Sequence, residues 1–258
     1  MKIFLLGLSL FSLSGCTRYY YAANQHNVPA FQEKNEARLT GTYSLGDEVE
    51  GFEIQGAYSI TKGFAVIGNA CVFNPKSKDG KGHLYELGAG YYKPLAPEFP
   101  RVSGKLVFEA YGVAGLGAAK NFYCYPHYGA ANFFKGYAQP SIGFASDYVD
   151  LIFSAKFGTA HFYNINRTFS DDTCVYDPTS SSYDDPPEEL VQELRLLNDN
   201  STPVFFEPAF TIRVGYKFIK LHYQWGGSRI SNIQDLNSGF NMNVGILVSL
   251  SPRFRKKK

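Results

Sequence analysis

Three histidines and two aspartates are the residues best suited to acid–base chemistry in this chain. His127 and His161 fall in predicted loops at the outer end of the barrel, His222 lies within a predicted strand, and Asp171 and Asp172 lie in the longest predicted loop. A carboxylate that orients an imidazole would provide a proton-transfer site. No spacing motif links these residues, and isolated histidines are more often structural or solvated. We therefore predict that the protein is not an enzyme, with hydrolysis of lipid or peptide as an alternative.

The cysteines suggest covalent rather than catalytic chemistry. Cys124 and Cys174 fall in the two largest predicted outer loops, so we predict a disulfide between them in an oxidising compartment. Cys71, near the end of its strand, is then the odd thiol, although other pairings remain open. The paired spacing typical of metal ligands is missing, so we expect neither a metal site nor a cofactor.

Most of the chain consists of strand-length segments in which apolar and polar residues alternate. In residues 219–225 every odd position is apolar and every even position is polar. Side chains in a strand point alternately to opposite faces, so each segment has an apolar and a polar face. About ten such segments are each near the length that a tilted membrane strand requires, roughly 9–11 residues. The pattern predicts an all-β fold, a closed antiparallel up-and-down transmembrane β-barrel of about ten strands.

The composition agrees with a membrane barrel. Aromatic residues make up 16% of the chain and charged residues only 19%. The net charge is +2 and the basic residues are scattered, so we expect no nucleic-acid partner. Alternation alone does not say which face points inward, and a periplasmic lipocalin-like barrel or sandwich is the alternative.

The predicted connections alternate between tight turns and long loops. Bacterial barrels have short periplasmic turns and long extracellular loops, and an even strand count puts both ends of the barrel domain on the short-turn side. The apolar face, which includes Leu39, Phe52, Leu221 and Ile246, should face lipid. An interfacial aromatic girdle on the short-turn side is predicted from four tyrosines, which are Tyr91, Tyr92, Tyr148 and Tyr216.

The polar face carries acids and bases in nearly equal number. A barrel of about ten strands has a narrow interior that side chains fill. Ion pairs are expected there, because an unpaired buried charge is costly. A small pore is the alternative to this filled interior. The predicted lumen network consists of Glu36, Arg38, Glu53, Glu86, Lys105, Glu109, Glu207 and Arg213.

The start of the chain predicts export and acylation. Residues 1–15 combine a basic residue with a short apolar run, as in a secretory signal peptide. Leu13-Ser14-Gly15-Cys16 resembles the lipobox of bacterial lipoproteins, which implies acyl chains on Cys16. We predict a lipoprotein signal peptide (1–15), an N-terminal anchor segment (16–35), the barrel (36–251) and a basic tail (252–258). The lipid would lie in the inner leaflet, just below the first strand.

The long acidic connection 161–202 contains a predicted helix. Pro186-Pro187-Glu188-Glu189 is typical of a helix start, and the helix should run to about Leu197. Leu190, Leu194 and Leu197 then share one face. We expect a cap over the barrel mouth, with a partner-binding helix or a cation-binding patch as alternatives.

Several short stretches of the sequence resemble those of a bacterial protein family. They are Asn27-Val28-Pro29, Glu33-Lys34-Asn35-Glu36, Gly88-Ala89-Gly90-Tyr91-Tyr92-Lys93-Pro94 and Phe134-Lys135-Gly136-Tyr137-Ala138-Gln139-Pro140. Together they resemble a group of lipid-anchored outer-membrane barrel proteins of Bacteroidota. The resemblance implies a barrel and a lipoprotein and brings no catalytic residues.

These observations predict a bacterial outer-membrane protein, lipid-anchored at Cys16, with its long loops extracellular. We expect a non-enzymatic structural or accessory role. Its partners would be outer-membrane lipids and a protein, such as a larger outer-membrane complex, that its outer loops contact. The alternatives are a narrow channel for small solutes and the hydrolytic enzyme considered above.

Overall fold

A computed structural model describes residues 19–45, 49–75, 80–95, 104–124, 127–168, 188–233 and 236–254. Ten antiparallel strands form a closed barrel in it. They are β2 (Ala37–Leu45), β3 (Val49–Ser59), β4 (Phe64–Pro75), β5 (Gly80–Leu95), β6 (Gly104–Cys124), β7 (His127–Ser146), β8 (Val149–Thr168), β9 (Val204–Tyr216), β10 (Ile219–Gly227) and β13 (Phe240–Leu250). Each strand pairs with its neighbours along the chain, and β13 closes the ring by pairing with β2. The predicted fold class is confirmed.

Three short strands lie outside this ring order. β1 (Tyr21–Ala22) pairs in parallel with β12 (Asn237–Ser238), and β11 (Arg229–Ile230) pairs with β9. Residues 252–254 form one turn of 3-10 helix. Among the described residues, no helix is both long enough and apolar enough to cross a membrane.

Alternation sets the two faces of the wall. Leu221 lies between Val214 on β9 and Ile246 on β13, and all three side chains point outward. The next residue, His222, is fully buried in the interior. Because the register repeats around the ring, the outside is a band of exposed apolar side chains, and the inside carries the buried polar side chains together with an apolar layer at the long-loop end. This arrangement is the one expected of a barrel that hydrocarbon surrounds.

The two ends of the barrel differ. At the short-turn end, compact turns at residues 60–63, 147–148 and 217–218 join the strands. At the opposite, long-loop end, β6 runs for 21 residues and β7 and β8 for 20 each, far more than a membrane strand needs. The outward side chains of these extensions, and of the end of β5 that pairs with them, include polar ones, which are Lys81, His83, Lys120, Asn132 and His161. The extensions therefore belong outside the hydrocarbon.

Three of the four predicted girdle tyrosines lie on the outer face. Tyr91, Tyr148 and Tyr216 are each at least half exposed at the short-turn end. The prediction for Tyr92 is wrong, since its side chain is buried inside the barrel. Its hydroxyl donates to the Thr61 carbonyl at 2.6 Å. Consecutive strand residues face opposite sides, so Tyr91 and Tyr92 cannot both face lipid.

The predicted helix is present as α1 (Glu188–Asp199). Leu190, Leu194 and Leu197 are buried and pack into the apolar cluster that includes Tyr20 and Phe162. The helix thus lies as a cap on the long-loop end. Leucines spaced three and four residues apart share one helix face, and that face covers the barrel mouth.

Candidate functional site

Residues 19–35, here called the N-terminal segment, run through the barrel lumen. At the long-loop end, the Asn121 amide donates to the Tyr19 carbonyl at 3.1 Å and the Tyr20 N–H donates to the Leu236 carbonyl at 3.1 Å. At the short-turn end, the Asn35 N–H donates to the Ser59 carbonyl at 2.8 Å. The segment therefore enters at the long-loop end and leaves at the short-turn end, where β2 begins.

Periodicity in the sequence does not predict this path for the chain before the first strand. The part of the predicted anchor segment (16–35) that the structure describes fills the lumen. The strand count fixes the side on which β2 begins, but it says nothing about the path of the preceding residues. Cys16 itself lies outside the described residues, as do the predicted signal peptide and most of the basic tail.

The upper layer of the lumen is apolar and aromatic. Tyr20 and Tyr21 are fully buried, and the Tyr21 ring lies 5.9 Å from the rings of both Phe133 and Phe205. The buried leucines of α1 belong to the same cluster. This layer seals the long-loop end of the described barrel with tightly packed hydrophobic side chains.

In the middle layer, side chains of the wall bind the main chain of the N-terminal segment. Glu53 accepts the Gln25 N–H at 2.9 Å. Gln224 accepts the His26 N–H at 2.7 Å and donates to the His26 carbonyl at 3.1 Å. Lys156 donates to the Gln25 carbonyl at 3.2 Å. Wall side chains thus take the place of a neighbouring strand.

The same arrangement continues in the lower layer. The Glu109 carboxylate accepts two consecutive backbone N–H groups, from Ala30 at 2.9 Å and from Phe31 at 3.1 Å. Arg38 donates to the Ala30 carbonyl at 2.9 Å, and Arg213 donates to the Val28 carbonyl at 2.8 Å. Hydrogen bonds to charged groups are about twice as strong as neutral ones. They hold Ala30 in a left-handed conformation, with φ of 55°.

Buried ion pairs inside the lumen connect nearby strands of the wall. Glu207 lies 3.3 Å from Lys135 and 3.8 Å from Lys156. Lower down, Asp150 accepts from Lys220 at 2.6 Å. All five side chains are almost fully buried. Such charges are tolerated because each has opposite charges and hydrogen-bond partners close by.

Seven residues of the predicted lumen network are buried inside the barrel; they are Glu36, Arg38, Glu53, Glu86, Glu109, Glu207 and Arg213. Lys105 does not join them, because it is exposed one residue from the start of β6 at the short-turn end. The alternating pattern correctly predicts that Lys105 faces the lumen side of the wall, but it cannot predict how far along the barrel axis the residue lies. Lys135, which is fully buried beside Glu207, was missed in the sequence, although it alternates with Phe134 and Gly136.

Lys105 lines a recess of about 380 Å³ at the short-turn end. Glu33, Asp147 and Lys217 line the same recess. A hydrogen bond to Tyr216 and the nearby Asp147 carboxylate raise the pKa of the Lys217 ammonium. The recess is therefore polar and of mixed charge, and it opens below the buried network.

The residues considered for acid–base chemistry are not brought together where the structure describes them. His222 lies inside the lumen, where it contacts Gln25 and accepts a hydrogen bond from Arg213. His161 is exposed on the outer face and bonds to Thr202 at 2.8 Å. The side chain of His127 and all of Asp171 and Asp172 lie outside the described residues.

The structure describes only some of the cysteine side chains. Cys71 is a buried free thiol that faces the lumen. The Cys124 side chain and Cys174 lie outside the described residues, so their disulfide remains a prediction. Within the described ranges, no cluster of three or more His, Cys, Asp or Glu side chains could hold a metal ion.

No protein-family model and no curated protein sequence matches the chain. Among solved structures, the chain is similar to in-vitro folded OmpT, an outer membrane protein of Vibrio cholerae. The identity is 5%, the match covers 83% of this chain and 96% of that one, and the TM-score is 0.28. OccK10 (OpdN) of Pseudomonas aeruginosa matches at 9% identity over 85% and 99% of the two chains, with a TM-score of 0.21. These TM-scores support no argument about function, and the barrel fold rests on its own strand pairing.

Proposed function

We propose that the protein is a non-enzymatic, lipid-anchored barrel of the bacterial outer membrane with a structural or accessory role. The observation that carries the proposal is the occupied lumen. A barrel of about eight strands is just filled by its own side chains, and in this wider, ten-stranded barrel the N-terminal segment takes up the remaining interior. The lipobox-like sequence and the resemblance to lipid-anchored barrels support the anchor.

The bonding inside the lumen favours a permanent filling over an open pore. The wall side chains that would line a pore are instead committed to main-chain groups of the N-terminal segment, such as Gln25 and Phe31. Removing the segment would lose these hydrogen bonds to charged groups, each worth roughly 1.5–3 kcal/mol. A protein built to conduct would not need this many specific contacts with a blocking segment.

The partner contact is proposed at the long-loop end. There the extensions of β5–β8 stand clear of the apolar band. Their outer surface holds a recess of about 530 Å³ whose lining includes Lys81, His83, Tyr85 and Lys120. Tyr85 is more than half exposed, and Lys120 lies over the Tyr128 ring at 3.4 Å. An exposed aromatic side chain such as Tyr85 on a rigid sheet suits a protein contact.

Co-purification from mild detergent tests the partner. We expect a stoichiometric protein that remains bound to the wild type and is lost when Tyr85 is changed to Ala. The matched control is Leu87→Ala, two residues along on the same strand and outer face. A protein that purifies alone under every gentle condition contradicts the partner contact.

Planar-bilayer recording tests the non-conducting role. We expect no steps of conductance from the folded protein. The polar middle of the lumen favours one second candidate, a narrow channel for small solutes that opens when the N-terminal segment moves. Steady conductance from the wild type would replace our proposal with this channel. Heat-modifiable migration on a denaturing gel provides the check that the sample contains folded barrel.

A further inference from the structure

We propose that the barrel carries its own N-terminus across the membrane, so that Cys16 and its acyl chains lie at the long-loop face, in the outer leaflet. This inference rests on the lipid anchor and the barrel orientation of the proposed function. It reverses the side that the strand count alone suggests. Its source is the direction in which the N-terminal segment passes through the lumen.

Contacts at both ends fix that direction. Near the upper end, the Asn241 amide at the beginning of β13 donates to the Ala23 carbonyl at 2.6 Å, and Tyr21 pairs with Asn237. Near the lower end, Ser59 at the end of β3 donates to the Glu33 carbonyl at 2.8 Å. Asn241 and Ser59 belong to opposite ends of the barrel. Residues 23 and 33 are therefore separated by most of its height.

Chain geometry then places Cys16. It precedes Tyr19 by three residues, which span at most about 10–11 Å when fully extended. The hydrocarbon core is about 30 Å thick. From Tyr19, which is bonded to Asn121 at the long-loop end, residue 16 cannot reach the short-turn face. Acyl chains on Cys16 would insert into the leaflet next to the long-loop end.

The lumen is suited to hold a crossing segment that has no regular secondary structure. A chain within the membrane must satisfy every main-chain polar group, which normally requires a helix or a closed sheet. Here Glu53, Gln224 and Glu109 accept main-chain N–H groups, and Gln224, Arg38 and Arg213 donate to main-chain carbonyls. The wall thus lowers the cost of burying an extended backbone.

Acylation at the long-loop face would attach the protein to the membrane in two ways. The apolar band crosses the membrane, and the acyl chains would anchor the residues just above the apolar layer of Tyr20, Tyr21 and α1. Because the crossing segment is covalently continuous with β2, the anchor could not leave without pulling the segment through the lumen. The expected lipid contact is with the outer leaflet.

Side-specific labelling of intact cells tests the inference. Thr17→Cys places a thiol next to the acylation site, and Lys62→Cys places one in the exposed turn at the short-turn end. Both full-length variants are expressed in outer membranes and treated with a membrane-impermeant maleimide, before and after lysis. Labelled peptides are identified by mass spectrometry, which separates these thiols from the native cysteines. Heat-modifiable migration confirms that each variant is folded.

We expect Thr17→Cys to be labelled at least tenfold more than Lys62→Cys on intact cells, and both to be labelled equally after lysis. Labelling of Thr17→Cys only after lysis would overturn the inference. The mass of the N-terminal peptide reports acylation separately. An unacylated but surface-labelled N-terminus would remove the lipid anchor from the proposed function while leaving the crossing intact. An acylated N-terminus that is labelled only after lysis would overturn the crossing and keep the lipid anchor of the proposed function.

Discussion

Lys135 and Glu207, on the two strands that flank β8, meet inside the lumen, with 3.3 Å between the ammonium nitrogen and the nearer carboxylate oxygen. Both side chains are fully buried. The other carboxylate oxygen of Glu207 accepts a hydrogen bond from the Tyr21 hydroxyl at 2.7 Å. The pair therefore joins β7 and β9 of the wall to the N-terminal segment.

A double-mutant cycle on this pair should show strong coupling. Lys135→Met leaves a buried carboxylate without its nearest cation, so we expect a loss of about 3–5 kcal/mol in the free energy of unfolding. Adding Glu207→Gln should recover much of that loss. Denaturant unfolding in detergent can be followed by the fluorescence of Trp225, the single tryptophan. Lys62→Met, at an exposed turn, is the control, and a loss no larger than its own would contradict the buried pair.

Glu109 should determine how firmly the lower part of the N-terminal segment is held. Glu109→Ala removes the acceptor for the N–H groups of Ala30 and Phe31, each worth roughly 1.5–3 kcal/mol as a bond to a charged group. We expect protease to cleave within residues 24–35 at least tenfold faster than in the wild type. Glu50→Ala removes a carboxylate at the opposite end of the barrel and should leave the rate unchanged. Equal protection in both variants would argue against the bonds to Glu109.

Helix α1 should be able to detach from the barrel mouth while the barrel stays folded. Leu197 is fully buried and its neighbour Asn198 is exposed. Leu197→Asp should release α1, because burying an unpaired carboxylate is far costlier than the lost packing of about 2–5 kcal/mol. Asn198→Asp introduces the same charge on the solvent side and should be neutral. The measurement is proteolysis within α1 compared with heat-modifiable migration of the barrel, and intact α1 in the Leu197 variant would rule out the cap.

The loss of stability caused by a charge on the outer face should depend on the depth of that position in the membrane. Leu221 lies within the apolar band, and Ile219 lies at the short-turn edge of the same strand. We expect Leu221→Arg to cost more unfolding free energy in lipid than Ile219→Arg, because the cost of an arginine rises from about 0–1 kcal/mol near the interface to about 2–4 kcal/mol at the midplane. Equal costs at the two positions would contradict a surrounding hydrocarbon layer.

The wall of the barrel could be predicted because its signal is local. Each strand alternates in the sequence itself, so the outward positions of Leu39, Phe52, Leu221 and Ile246 follow from period two alone. The predictions were wrong where the position of a residue along the barrel axis matters as well as the face on which it lies. Lys105 has lumen parity but lies at the rim. Lys135 also has lumen parity, but it was not included in the predicted network, and Phe133, two residues before it, belongs to the apolar upper layer.

The N-terminal segment could not be predicted for a different reason. Residues 19–35 have no periodicity, because the wall side chains supply their hydrogen bonds rather than a neighbouring strand or helical turn. Such bonds depend on the closed barrel and leave no pattern in the segment itself. The only sequence signal was its content of amides and small residues around Asn24, Gln25 and Asn27, which suits a polar interior but suits an exposed loop equally well.

Hydrogen exchange of the N-terminal segment in the folded, full-length protein is the most direct test of the central claim. In the structure, the N–H groups of Gln25, His26, Ala30 and Phe31 donate to Glu53, Gln224 and Glu109 inside the barrel. We predict that peptides covering residues 24–32 resist exchange as long as the strand peptides of β9 and β10, for hours rather than seconds. Complete exchange of these peptides within seconds, while the strands stay protected, would show that the segment does not occupy the lumen.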